Sequence, residues 1–319
     1  MKPFLIVSVT IVLFLTGCSK VIDIKIEEED LKIVLSGLIC PDSTVIVHIS
    51  RSSQVSGDYP EDTGKLEPDS MIVDPVSLYE NDRFIGELQY RIKSYYELPG
   101  FKPSPGKTYR LEASSGELKP VSATVVVPEM ADLTSFDTLW IPNMVTNPTI
   151  RVSMQLSDPP DQENYYALNV LRIQRYYDGQ TNRFTDSIVA YGYPAKLNGK
   201  ADGELELDFL DVNRDVYLDG KLFFSDQFFD GKIFHMSFDI LKNSIGRMAD
   251  TVLFRVNVQQ VDKSYYDYAV SYQKYFSARN NPFTEPVQVY SNVTDGYGLF
   301  SAYNCARKEF VVDWTGTQE

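Results

Sequence analysis

The chain has 319 residues, with 44 acidic against 30 basic side chains and a formal charge of −14. A surface this acidic excludes nucleic acid as a partner, because phosphate binding needs clustered Lys and Arg, and it excludes electrostatic adhesion to anionic lipid. The length is enough for two domains of ordinary size, and hydrophobic residues at 43% can fill their cores.

Residues 4–15 form an apolar run broken only by Ser8 and Thr10, preceded by Lys2 and followed by Gly17 and Cys18. A bilayer-spanning helix takes about 20 apolar residues, so this run has instead the length of a signal-peptide core. A peptidase that cleaves before a cysteine needs small neighbours, and the Cys18 thiol is the atom that would carry a diacylglyceryl thioether. Residues 1–17 are therefore expected to be a lipoprotein signal and Cys18 the lipidation site, with cleavage freeing an amine for a further acyl chain. Each buried methylene contributes about 0.8 kcal/mol, so two or three chains hold far more firmly than one. Loss of residues 1–17 removes Lys2 and leaves 29 basic against 44 acidic residues, a charge of −15. Residues 18–30, which end in Glu27-Glu28-Glu29-Asp30, are expected to be a solvated acidic tether.

From 31 to 128 the pattern predicts strand after strand. Residues 31–39 are apolar-rich and stop at the turn Pro41-Asp42-Ser43; 44–50 alternate; 51–75 are rich in Ser, Asp, Pro and Gly and predict a long loop. Segments 76–80 and 84–90 flank Asn81-Asp82-Arg83, a hairpin signal, and strands follow at 107–113 and 121–127. About seven short strands at this spacing predict an immunoglobulin-like sandwich over 31–128.

Pro128 opens the expected boundary, and 129–319 form a larger β-rich domain with strands at 149–156, 165–176, 232–240, 251–261 and 310–314. The polar stretch 178–231 predicts extended loops and hairpins. One helix is expected over 262–278, where Tyr265, Tyr268, Ala269, Tyr272, Tyr275 and Phe276 share a stripe at spacings of three and four, a packing face. Ser264 with Asp267 resembles a capping box, and Asn280-Asn281-Pro282 marks the end. The fold class expected is mainly β: two β-sandwich-like domains, the second carrying one packing helix near the C-terminus.

Aromatic residues are abundant, with 21 Tyr and 18 Phe, and doublets recur at Tyr95-Tyr96, Tyr165-Tyr166, Tyr176-Tyr177 and Tyr265-Tyr266. Neighbours on a strand point to opposite faces, so one ring of each strand doublet is expected to face outward. Beyond Cys18 the cysteines are Cys40 and Cys305, far apart and without metal-like spacing; two separate buried thiols are the expectation, a disulfide the alternative.

The segment Asn281-Pro282-Phe283-Thr284-Glu285-Pro286-Val287-Gln288-Val289-Tyr290-Ser291-Asn292, followed by Asp295-Gly296-Tyr297-Gly298-Leu299-Phe300, resembles the C-terminal signature of the domain-of-unknown-function 4249 family. Leu222-Phe223-Phe224-Ser225-Asp226-Gln227-Phe228-Phe229-Asp230-Gly231-Lys232 is similar to a second family segment, and Leu35-Ser36-Gly37-Leu38 and Gly106-Lys107-Thr108-Tyr109-Arg110-Leu111 fit as well. The resemblance implies an outer-membrane lipoprotein of gut- or environment-dwelling bacteria, of a kind often encoded near TonB-dependent receptors, and it brings no catalytic residues. In that bacterial group acids just after the lipidated cysteine mark export to the cell surface; here Ser19-Lys20-Val21-Ile22 intervenes, which leaves the membrane face open. Residues 292–300 are expected to be a Gly-rich turn, either a backbone requirement or a recognition loop built from Tyr290, Asn292, Asp295 and Tyr297.

Known chemistries find little footing. The two histidines, His48 and His235, sit in strand patterns, so a zinc-peptidase pair at helical spacing is absent, and no nucleophile-elbow sequence or phosphate-cradling loop stands out. Asp211, Asn213, Asp215 and Asp219 echo a calcium loop, but Val216 and Leu222 occupy its glycine and glutamate positions, so a polar hairpin is the better reading. No cofactor is expected. The function expected is that of a non-enzymatic, lipid-anchored outer-membrane protein, an accessory or ligand- or protein-binding partner of a TonB-dependent receptor, with a small molecule, a glycan or a peptide as the ligand. An adhesin or structural envelope component is the alternative, and an enzyme acting on glycans or peptides stands third.

Overall fold

A computed structural model describes residues 30–53, 73–141, 149–178, 180, 183–192, 197–201, 207–208, 216–241, 251–279 and 284–313. Cys18 and its neighbours lie outside them. The chain is mainly β, with one helix among the described residues.

The first sandwich is built from β1 (Ile33–Ile39), β2 (Val45–Arg51), β3 (Val76–Glu80), β4 (Arg83–Glu87), β5 (Gln89–Tyr90), β6 (Tyr95–Leu98), β7 (Thr108–Ala113) and β8 (Val121–Val126). Strands β4, β3, β7 and β8 form a four-stranded sheet that faces β1, β2, β6 and β5. The alternation in 44–50 and 107–113 does what period two requires. Val45, Val47 and Ile49 turn inward from β2 to meet Tyr109 and Leu111 from β7. Burying each such side chain stabilises the fold by about 1.5–3 kcal/mol. Asn81 and Asp82, both at positive φ, make the expected β3–β4 hairpin turn. The strand expected at 84–90 is divided. Leu88 drops into the core and donates its N–H to Val76, so β4 stays in the four-stranded sheet while β5 joins the opposite one. Strand β6 alternates as expected of its doublet, with Tyr96 buried and Tyr95 exposed.

The second sandwich contains β9 (Asp132–Ile141), β10 (Thr149–Ser157), β11 (Tyr165–Asp178), β12 (Arg183–Gly192), β13 (Leu197–Ala201), β14 (Leu207–Asp208), β15 (Val216–Leu218), β16 (Lys221–Ser225), β17 (Ile233–Leu241) and β18 (Thr251–Val261), then helix α1 (Lys263–Ala278) and β19 (Tyr297–Asp313). Strand β9 was not expected. It is a largely exposed edge strand beside β10, and it lacks the alternation that marks a half-buried one. A five-stranded sheet, β14-β13-β17-β10-β9, packs against β11, β16, β18 and the end of β19 around Val152, Leu168, Phe234, Phe238, Phe254 and Val256.

The largest departure concerns the C-terminal strand. A short strand was expected at 310–314 after a Gly-rich turn; instead β19 begins at Tyr297, inside that turn. Its first residues pair in parallel with β1, from Val34↔Tyr297 to Ile39↔Ala302, and the rest runs antiparallel to β18. A single ten-stranded sheet, β15-β16-β11-β18-β19-β1-β2-β6-β5 with β12 alongside β11, therefore passes through both sandwiches. The first core takes Val293, Phe300 and Ala302 from this distant segment, and the second takes Ala306 and Val312. Cys40 and Cys305 are both free, buried thiols, and burial pushes Cys305 up to about 11.

A candidate binding groove beside the helix

The proposed recognition residues lie where β19 starts, and the side chains of Asn292 and Tyr297 are engaged within the fold. Asn292 donates from Nδ2 to the Phe300 carbonyl (2.7 Å) and accepts at Oδ1 from the Phe300 N–H (3.0 Å), so its amide substitutes for a neighbouring strand. Asp295 adopts a left-handed turn at φ 60. A Cβ on Gly296 would lie 2.5 Å from the Ile33 carbonyl, and one on Gly298, at φ 111, only 1.9 Å from that of Leu35. Both glycines thus let β19 lie against β1. Lys32 donates to the Tyr297 hydroxyl (3.1 Å), the Tyr290 N–H donates to Ser271 of α1 (2.8 Å), and Thr294 donates to Ser122 of β8.

Of the calcium candidates, Asp211, Asn213 and Asp215 lie outside the described residues, and Asp219 sits in the β15–β16 hairpin turn at φ 50. A different set of acids converges. Carboxylate oxygens of Asp158, Asp226 and Asp230 lie within 4.8 Å of one another. Oxygen ligands at this separation have the chemistry to hold a hard cation. The two buried members, however, serve the backbone. Asp158 accepts from the Tyr166 hydroxyl (2.6 Å) and the Gly231 N–H (3.0 Å), and Asp226 accepts from the Asn164 N–H (2.6 Å). Gln260 donates to the Asn164 side chain (2.9 Å), which ties the network to β18. Burial raises both carboxyls above the ordinary carboxylate range, with neighbouring acids adding to the effect. The arrangement latches the 158–164 loop to the 226–232 loop. The signature segment 222–232 pointed toward one half of it; no pattern in the sequence flagged Asp158.

Helix α1 stands on the outer face of the ten-stranded sheet. Its N-cap is Asp262, not Ser264. The Asp262 carboxylate accepts from the Ser264 N–H (2.9 Å), from Ser301 and from the Ala302 N–H (2.9 Å), so one group caps the helix and binds it to β19. Asp267 is instead engaged by Lys263 (2.7 Å). Tyr265 and Ala269 are buried, with Tyr265 edge-on to Phe223 at 5.0 Å and bonded to Lys221. The stripe leaves the sheet only after Tyr272. Tyr268 and Tyr272 stack at 5.9 Å and are half-buried, whereas Tyr275 and Phe276 are 42% and 49% exposed, and Arg279 lies 3.8 Å over the Phe276 ring. The expected packing face therefore holds for the first turns only.

Past the helix, residues 284–292 run back alongside it without strand partners. Between the two lies an open groove of about 720 Å³. Val270, Gln273, Lys274 and Ala278 line its helix side, and Thr284, Glu285 and Val287 line the other. Val216 of β15 and Gln227 of the latched loop also line it. Segments remote in sequence thus form one concave surface, and the buried Asp158–Asp226 network fixes the loop that presents Gln227.

The chain matches the family model described as "Domain of unknown function (DUF4249)" over residues 19–309, and it belongs to that family. No curated protein matches the sequence. Among solved structures it is similar to the collagen-binding domain of the surface protein RspB of Erysipelothrix rhusiopathiae, at 10% identity, covering 87% of this chain and 96% of that one, with a TM-score of 0.25. It is also similar to the collagen adhesin of S. aureus, at 6% identity, 90% and 95% coverage and a TM-score of 0.24. The major pilin subunit BcpA* of Bacillus cereus shares 12% identity over 73% of this chain, with a TM-score of 0.23, and the match spans 65% of the pilin, just under two-thirds. These likenesses concern the β-sandwich fold alone.

Proposed function

We propose that this protein is a non-catalytic binding subunit of the bacterial cell envelope, held at the outer membrane by lipid on Cys18, which serves a TonB-dependent receptor by holding a partner in the groove beside α1. The observation that carries the reading is the groove itself, an open concave surface with aliphatic and amide walls set on a rigid sheet. The tether supports it. The strand nearest Cys18 in sequence is β1, in the middle of the ten-stranded sheet, so the anchor would hold the body by a central strand. Lipid confinement raises the effective concentration near a membrane partner without any added contact. The buried carboxylates support a non-catalytic role, since both are engaged in bracing loops and neither lines the groove.

The test is a mild-detergent pull-down of the lipidated protein with a Cys18→Ala control. A stoichiometric β-barrel receptor, lost in the control, is the expected result; no co-purifying receptor overturns the stable-complex form. An adhesive or structural envelope role is the second reading. It is favoured by Ile46, Ile92 and Tyr95, which are 40%, 68% and 46% exposed around the β2–β6 pair. Self-association or matrix binding abolished by Ile92→Ser would shift the weight to it.

A further inference from the structure

We infer that the groove takes an extended polypeptide, docked by strand addition to residues 285–289; the inference rests on reading the groove as the partner site. The first support is backbone accounting. Residues 284–292 are held at both ends. Thr284 donates to the Ala278 carbonyl (3.0 Å), and at the other end the Tyr290 N–H donates to Ser271 and Asn292 brackets Phe300. Between these pins, the N–H groups of Val287, Gln288 and Val289 find no acceptor among the described residues. Pro286 has no N–H to offer. A pinned segment that belongs to no strand and carries unpaired backbone N–H groups is a template for a further strand.

The second support is the match of lengths. In extended form residues 285–289 span about 13 Å over four steps of about 3.3 Å. The lining stretch of α1, from Val270 to Ala278, rises about 12 Å at 1.5 Å per residue, so three to four peptide residues can lie along it. The third support is chemistry. Val216, Val270, Val287 and Ala278 offer methyl surfaces suited to aliphatic side chains on alternate positions. A sugar face prefers an open aromatic ring, and the Tyr266 ring is packed at a tilt against Tyr165, with centroids 4.7 Å apart. Charge completes the description. Lys274 stands on the helix wall and Glu285 on the opposite one, so the complementary peptide carries an acid toward the helix and a base toward the 284–287 side. A chain of charge −14 disfavours a strongly acidic segment.

The probe is a phage-displayed library of linear 12-residue peptides, selected on the full lipidated chain in detergent, with binding of synthesised winners read by fluorescence anisotropy. Enrichment of peptides with alternating aliphatic residues is expected. Val270→Arg and Val287→Arg should each weaken their binding at least tenfold, and so should N-methylation of alternate peptide amides, which removes strand pairing and leaves side chains intact. Lys274→Glu, at an exposed position, guards against misfolding in the valine variants and should weaken acid-bearing winners tenfold. Leu139→Arg, exposed on β9 and outside the groove, should leave binding unchanged. No enrichment overturns the inference. So do winners indifferent to both valine variants and to N-methylation, and so does an oligosaccharide from a glycan array whose binding Val287→Arg abolishes. Receptor co-purification that persists in Val287→Arg overturns the peptide site and leaves the lipid-tethered accessory standing. Peptide binding without any co-purifying receptor does the reverse.

Discussion

At residue scale, the start of β19 is decided by groups too small to carry a chemical signature. Gly298 combines φ 111 with a contact no Cβ survives, 1.9 Å from the Leu35 carbonyl. Gly298→Ala should therefore cost about 2–4 kcal/mol, read as a lower denaturation midpoint, since β1 and β19 must separate to admit the methyl. Asn292→Ala leaves the Phe300 N–H and carbonyl without their partner and should cost about 1–3 kcal/mol in the same measurement. The Asp158 carboxyl makes a pH prediction. Its folded value is raised above the ordinary value of 3.8, chiefly by burial, so the folded state holds the proton more tightly than the unfolded chain. The stability this confers is full below about 3.8 and is lost as pH rises through the folded value. Asp158→Asn does not titrate. The advantage of the wild type over that variant should shrink between pH 4 and pH 7 in parallel urea titrations; an advantage that grows with pH would mean that the carboxylate is stabilised as an anion. The glycines and Asn292 were visible in the sequence as a distinctive run. Their roles were not, because a close approach of two strands is a property of both strands.

At the scale of elements, α1 shows how far periodicity reaches. The spacing of Tyr265, Tyr268, Ala269 and Tyr272 placed a helix with an apolar face, and those residues pack on the sheet. The same spacing continued to Tyr275 and Phe276, which are exposed, because periodicity records a face and not the extent of what lies beneath it. The cap was legible in kind but displaced. Asp262 sits where an N-cap is preferred, and its further bonds to Ser301 and Ala302 are tertiary. Asp262→Ala removes the cap and the tie to β19 together and should cost about 2 kcal/mol or more, above the ~1 kcal/mol of a typical cap, by urea denaturation. If amide exchange in Tyr265–Ala269 stays unchanged in that variant, the tie does not hold the helix.

At the scale of the molecule, β19 makes the two sandwiches share a sheet. The first core lacks Val293, Phe300 and Ala302 when the C-terminal segment is absent, and β1 loses its parallel partner. A fragment of residues 30–128 should therefore show poorly dispersed amide resonances, and the intact chain should unfold in one transition seen alike by tryptophan fluorescence and circular dichroism. Two separated transitions would show that the shared strand does not couple the sandwiches.

The sequence by itself determined the class. Period-two alternation, turn residues and one helical stripe state which local conformation each segment prefers and which face it buries, and these are local physics. The signature segments likewise identified the family. Only the tertiary structure decided which strands pair, because register and partner depend on the complementarity of segments hundreds of residues apart. The parallel β1–β19 pair arises from such a meeting, and the Asp158–Asp226 latch and the seating of Val216 and Gln227 beside α1 arise from meetings over several tens of residues. Each side chain involved is unremarkable in its own stretch and acquires its role from the neighbour that folding brings to it.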